Sequence, residues 1–130
     1  MPNLVVNPLH LGLGATAIPL PEFTGGMAWY EAYGKKFGDE GAEGRLVSMH
    51  HFENSWDEWE MHPHGHEVVL CISGMMTILQ EMPDGSAGRV VIGPGEYAIN
   101  APGVWHTADI GVETTAVFIT AGLGTQGRPR

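Results

Sequence analysis

From Arg45 onward, apolar and polar residues alternate in short runs separated by glycine and proline. Runs with a period of two read as strands that bury one face. They fall at Arg45–Glu53, Asp57–Met61, Glu67–Ser73, Met75–Glu81, Arg89–Ile92, Glu96–Asn100, Trp105–Ile110 and Glu113–Ala121. Met82, Pro83, Asp84 and Gly85 make a strong turn signal, and Gly93-Pro-Gly95 makes another. One stretch has a helical period instead. Between Met27 and Phe37, Trp29, Tyr33 and Phe37 recur at every fourth position and would form one apolar stripe. Thr24 is its candidate N-cap, and Gly38 fits the glycine that ends a helix. Residues up to about Gly26 are rich in proline and glycine. They predict an extended arm with short strands around Leu4–Val6 and Ala15–Leu20. The pattern as a whole predicts an all-β barrel or sandwich, with an N-terminal arm and one short helix.

Composition narrows the picture. A chain of 130 residues suggests one structural domain, and 43% hydrophobic content is enough for a packed core. Within that domain, residues 1–44 read as arm and helix and residues 45–130 as the barrel. The formal net charge is −9. That argues against nucleic acid, which needs a basic surface, and against docking on an anionic membrane. It leaves metal ions open as partners. No stretch is long and apolar enough to span a bilayer. The N-terminus lacks the basic region of a signal peptide, so the cytoplasm is the expected location. The one cysteine, Cys71, cannot form an internal disulfide.

The chemistry concentrates between Glu60 and Gly74, which read EMHPHGHEVVLCISG. His62, His64, His66 and Glu67 are candidate metal ligands, since neutral imidazole and carboxylate both bind divalent transition metals. An apolar run, Val68 to Ile72, follows at once, so these ligands would sit at the mouth of a buried strand. A second constellation, PGEYAINAPGVWH, ends at His106, just after a Pro-Gly corner. If His106 faces inward, Ala108 does too, and Trp105 and Thr107 face the other way. His50, Cys71 and Trp105 are the further pocket candidates. His50 belongs to an adjacent pair, His50–His51, of which one faces in. Cys71 shares the parity of Glu67 and reads either as a cavity residue or as a small buried hydrophobe.

These two constellations resemble the paired signatures of the cupin superfamily, small β-barrels of jelly-roll type. The first signature has His-x-His, a glutamate three or four residues on, then six residues and a glycine. It maps onto His62, His64, Glu67 and Gly74. The second maps onto Gly95, Gly103 and His106, with two residues between Gly103 and His106. The resemblance covers Arg45 to about Ala121. Only two residues separate His64 from Glu67, and in one extended strand the three histidines share a parity that Glu67 lacks. A bulge at Pro63–Gly65 would bring Glu67 onto the common face. Otherwise the ligands are His62, one of His64 or His66, and His106, with His66 also able to stand in for Glu67.

The resemblance implies a cupin-type jelly-roll β-barrel that pairs as a homodimer. It also implies one divalent transition metal, Fe, Mn, Ni or Zn, held by His62, His64, Glu67 and His106. A small organic molecule would bind in the barrel mouth and be transformed there, by a reaction of dioxygenase or isomerase type. The alternative is a non-catalytic binding or sensor barrel in which the histidines hydrogen-bond a small molecule without metal. Cupins host many reactions on one fold, so the fold does not choose among them.

Overall fold

Alternating runs become strands because each can bury one set of side chains and expose the other. A computed structural model describes residues 1–130. Its elements are β1 (Leu9–Gly12), β2 (Thr16–Pro19), α1 (Met27–Phe37), β3 (Arg45–Phe52), β4 (Glu58–Met61), β5 (Glu67–Ser73), β6 (Met76–Glu81), β7 (Ala87–Ile92), β8 (Tyr97–Asn100), β9 (Trp105–Asp109), β10 (Thr114–Thr120) and β11 (Gln126–Pro129). They form two antiparallel sheets. One has the order β2-β1-β3-β10-β5-β8 and the other β11-β4-β9-β6-β7. No hydrogen-bonded ladder joins the sheets, so the strands expected to form a barrel make two open sheets.

The core lies on the inward positions of these strands. Val69 and Cys71 of β5, Ile78 of β6, Ala98 of β8, Ala108 of β9 and Phe118 of β10 belong to one buried cluster. Full burial of an aliphatic or aromatic side chain contributes about 1.5–3 kcal/mol, and this cluster draws such side chains from both sheets. Cys71 is fully buried in it, which corrects its candidacy as a pocket residue. The next inward position on each of these strands is polar: Glu67, Gln80, Asn100, His106 and Thr120, all buried. The core therefore ends where a polar site begins, one side chain further along the same strands.

The arm departs from expectation in one place. Leu4–Val6 is a turn, closed by the Val6 amide donating to the Asn3 carbonyl at 2.9 Å. The first strand is Leu9–Gly12, which pairs with both β2 and β3 and so adds the arm to the larger sheet. The helix spans the predicted residues, but its caps differ. Gly26 is the N-cap and no side chain caps it, so Thr24 plays no such part. Gly38 stays helical, and the chain continues as a 3-10 turn through Glu43, broken at Gly41.

No residue of α1 is fully buried, so the helix is not a core element. Its stripe packs on the arm instead. The ring of His10 stacks on Phe37 at 3.8 Å, and His10 Nδ1 lies 2.7 Å from the Tyr33 hydroxyl. His10 Nε2 pairs with Glu40. His10 itself is buried. The arm thereby holds α1 over the open end of the two sheets.

Candidate metal centre

Strand register builds the site from two facing rows. Across β4, β9 and β6, Glu60 lies opposite His106, and His106 opposite Gln80. Across β10, β5 and β8, Thr120 lies opposite Glu67, and Glu67 opposite Asn100. His62 follows β4 by one residue and completes the set. Donor atoms of Glu60, His62, Glu67 and His106 all lie within 4.8 Å of one another. Glu67 is at the centre, with His62 Nε2 at 3.0 Å and His106 Nε2 at 3.1 Å from its two oxygens. Glu60 Oε2 is 4.0 Å from His62 Nε2 and 3.9 Å from His106 Nε2.

The other atoms of these side chains are already committed. The Thr125 hydroxyl donates to the Gly122 carbonyl at 2.8 Å, so at 2.8 Å it accepts from His62 Nδ1–H. His106 Nδ1–H donates to the Val104 carbonyl at 3.4 Å. Glu67 Oε1 accepts from the Asn100 amide at 3.2 Å, and Oε2 accepts from the Thr120 hydroxyl at 2.7 Å. Gln80 Nε2 donates to Asn100 Oδ1 at 2.8 Å and fixes which way that amide points. With Nδ1 carrying the proton in each neutral imidazole, Nε2 presents a lone pair. Both Nε2 atoms are buried and neither makes an aligned hydrogen bond, despite their closeness to Glu67. Lone pairs thus converge on one point, and such a point calls for a cation or a shared proton.

Titration reflects the same crowding. Burial alone would raise the Glu67 carboxyl, but the neighbouring His106 and His62 hold it well below the usual carboxylate range. Burial would lower His106, and contact with Glu67 and Glu60 outweighs that and raises it. Glu60 is pushed up by burial and then by the Glu67 charge.

His62, Glu67 and His106 are brought together; His64 and His66 are not. Both are exposed and lie outside the cluster, which corrects their candidacy as ligands. The reason is that the chain leaves β4 at His62 and bends through Pro63–Gly65 to cross from one sheet to the other. Strand parity does not apply across such a bend, and no bulge is needed. The crossing is tight: a Cβ on Gly65 would sit 2.5 Å from the Ala121 Cβ. The second motif closes on the first. Ala101 to Val104 form a turn with Gly103 at a φ of 80°, and the Gly103 amide donates to the His62 carbonyl at 3.1 Å.

Glu60 is the ligand candidate that reading for His-x-His overlooks. The signal was the spacing from the other end. Six residues separate Glu67 from Gly74, four separate His62 from Glu67, and Glu60 stands two positions before His62. Glu60 thus occupies the position at which the resembled signature would have its first histidine.

An open cavity of about 1040 Å³ leads to the cluster, and His50 lines it. Trp105 does not. Its parity is opposite to that of His106, and it lies on the outer face under the Arg128 guanidinium, 4.3 Å from the ring centroid. Tyr30 and Tyr33 of α1 line the cavity from one side, and Phe52, Trp56 and Phe118 from the other.

No family model matches the chain, and no curated protein matches it. Solved structures do. The oxalate decarboxylase of Bacillus subtilis, studied for its Mn(II) centres, is 16% identical over 74% of this chain and 26% of that one, with a TM-score of 0.58. An uncharacterized conserved protein with a double-stranded β-helix domain from Klebsiella pneumoniae is 22% identical over 65% of this chain and 73% of that one, with a TM-score of 0.53. A cupin-2 domain containing protein from Shewanella frigidimarina is 20% identical over 66% of this chain and 71% of that one, with a TM-score of 0.48. At these identities the likeness is one of fold. No helix of the chain is long and apolar enough to cross a membrane.

Proposed function

From a fold like that of double-stranded β-helix proteins, we propose that the chain is a cupin and that Glu60, His62, Glu67 and His106 hold one divalent transition metal. A small organic molecule would bind beside it in the cavity and be transformed there. The observation that carries this reading is the convergence of two buried, unpartnered Nε2 atoms on Glu67. Imidazole suits iron and nickel as well as zinc, and carboxylate suits manganese. Two of each, with no thiolate, favour Mn(II) or Fe(II). When bound, such an ion supplies Lewis acidity toward a substrate oxygen and, for iron, a redox couple.

The chain's own residues do the rest. Thr125 and the Val104 carbonyl hold the imidazoles in the tautomer that offers Nε2. Asn100 and Thr120 fix both oxygens of Glu67. The Tyr30 phenol lines the cavity, and burial with the Glu60 and Glu67 charges raises it. It therefore stays protonated and donates a hydrogen bond to the bound molecule. The aromatic wall and α1 flank the bound molecule on two sides. The reaction types this arrangement supports are isomerisation and oxygenation of the bound molecule.

A second reading, a metal-free binding module, draws on the same distances. Protonated His62 and His106 would neutralise Glu67 at 3.0 and 3.1 Å without any ion. Elemental analysis of purified and Mn(II)- or Fe(II)-reconstituted protein decides between the two. The proposal expects about one metal per chain, lost in the His62→Ala, His106→Ala double variant. Absence of metal after reconstitution overturns it in favour of the metal-free module.

A further inference from the structure

We infer that the cavity selects a ring compound bearing no negative charge, neutral or cationic, and rejects carboxylates. This rests on the metal reading above and deepens it. The first observation is charge. Every polar wall that could meet an anion is itself acidic or neutral: Glu31, Asp57 and Glu58 line the cavity along with Glu60 and Glu67, and no lysine or arginine does. The chain's cations are elsewhere. Arg128 pairs with Glu81 and Arg130 with Asp109, Lys35 and Lys36 are exposed on α1, and Arg45 and Arg89 lie on β3 and β7, and none of the six lines the cavity. Proteins that recognise carboxylates do so with arginine, lysine, convergent backbone amides or a metal ion that keeps a net positive charge.

The substitution at the first signature position sharpens this. With a third histidine there, a divalent ion facing one carboxylate would keep a net positive charge. With Glu60, the two carboxylates cancel the ion's charge. The centre then offers an anionic substrate no electrostatic gain, and the remaining acidic side chains repel it.

The second observation is the wall itself. Ring centroids run in an unbroken series: Tyr30 to Phe23 at 5.6 Å, Phe23 to His50 at 5.3 Å, His50 to Phe118 at 5.7 Å, Phe118 to Trp56 at 5.9 Å. Trp56 then reaches His106 at 6.3 Å. Such a wall offers faces and edges to a flat ring, and its faces attract a cation. Burial holds the His50 imidazole below its ordinary range, so it adds no positive charge near neutral pH. The wall ends at the metal centre, so a ring lying along it carries its reactive substituent to Glu67 and His106.

Three phenols with the same ring test the inference: tyramine, p-cresol and 4-hydroxyphenylacetate, with positive, neutral and negative para substituents. Each is titrated by calorimetry into Mn(II)-loaded protein and into chelator-treated protein, with metal content measured on the same samples. The expected result is that tyramine and p-cresol bind at least tenfold more tightly than 4-hydroxyphenylacetate. Glu58→Gln should narrow the gap by raising affinity for the anion several-fold at unchanged metal content. Equal or tighter binding of 4-hydroxyphenylacetate overturns the inference, as does failure of all three to bind at millimolar concentration. If the protein holds no metal yet keeps the charge ordering, the metal reading fails and the substrate class stands. If it holds metal and prefers the anion, the substrate class fails alone.

Discussion

Replacing Glu60 by glutamine keeps the shape of the side chain and removes one charge from the donor set. The Glu60 oxygen lies 3.9–4.0 Å from both imidazole Nε2 atoms, at the edge of a site whose other carboxylate is fully enclosed. Two unit charges 4 Å apart interact by about 1 kcal/mol in water and about 4 kcal/mol at the effective dielectric of a protein surface. A divalent ion doubles these to about 2 and about 8 kcal/mol. The Glu60 side chain is 41% exposed, which places the loss near the lower end. A value of about 3 kcal/mol corresponds to roughly a hundredfold weaker Kd. The assay is Mn(II) titration followed by the loss of free-ion EPR signal, with Glu58→Gln as the control for general charge. The control should stay within about threefold, because Glu58 lies outside the donor cluster. Parent-like Mn(II) binding by Glu60→Gln, together with its loss in the His64→Ala, His66→Ala double variant, would refute a role for Glu60 as ligand.

Other consequences follow from the same structure. In metal-free protein, Glu67 is held below its unfolded value near 4.3, so its contribution is full above about pH 5 and is lost as pH falls through the folded value. His106 is raised above its unfolded value near 6.5, so its contribution is full below that and is lost as pH rises through the folded value. Urea melts should therefore show greatest stability between about pH 5 and 6.5, with the alkaline decline flattened in His106→Gln; an unchanged decline would contradict the assignment. His10→Ala removes the Phe37 stack and the partner of Tyr33, whose phenol burial and Glu40 push up to about 12. It should cost about 2 kcal/mol and speed hydrogen exchange in Met27–Phe37 while leaving β5 and β9 protected; uniform exchange would refute the anchoring role. Cys71 sits fully buried in the core, and burial pushes its thiol up, so a water-soluble disulfide reagent should modify it only on unfolding. Rapid reaction of native protein would show that the core is open.

Much of the fold was legible because strands β3 to β10 carry their own alternation and their own punctuation. The ends of the sheets were not. Leu9–Gly12 is short, and Gln126–Pro129 contains glycine and proline, so neither has a strand's local signature. Both become strands by pairing at a sheet, β1 against β3 and β11 against β4. That is tertiary information. The site was half legible for a related reason. His106 follows a Pro-Gly corner whose geometry is local, and Glu67 opens a strand that stops at Ser73, just before Gly74. The partner of His62 was hidden because three histidines in a row of alternate positions invite a strand that is absent. The bend at Pro63–Gly65 breaks that row, sends His64 and His66 to solvent and leaves Glu60, on the preceding strand, facing His106. The cavity depended on where α1 lies, and that is set by one buried histidine from the arm.

If Glu60, His62, Glu67 and His106 form one metal centre, an ion sits among all four. The most direct test is an anomalous difference map from crystals of reconstituted protein, recorded on both sides of the manganese or iron absorption edge. A single strong peak is expected within bonding distance of Glu60, His62, Glu67 and His106. A map with no peak at that point, or with the ion bound instead at His64 and His66, would contradict it.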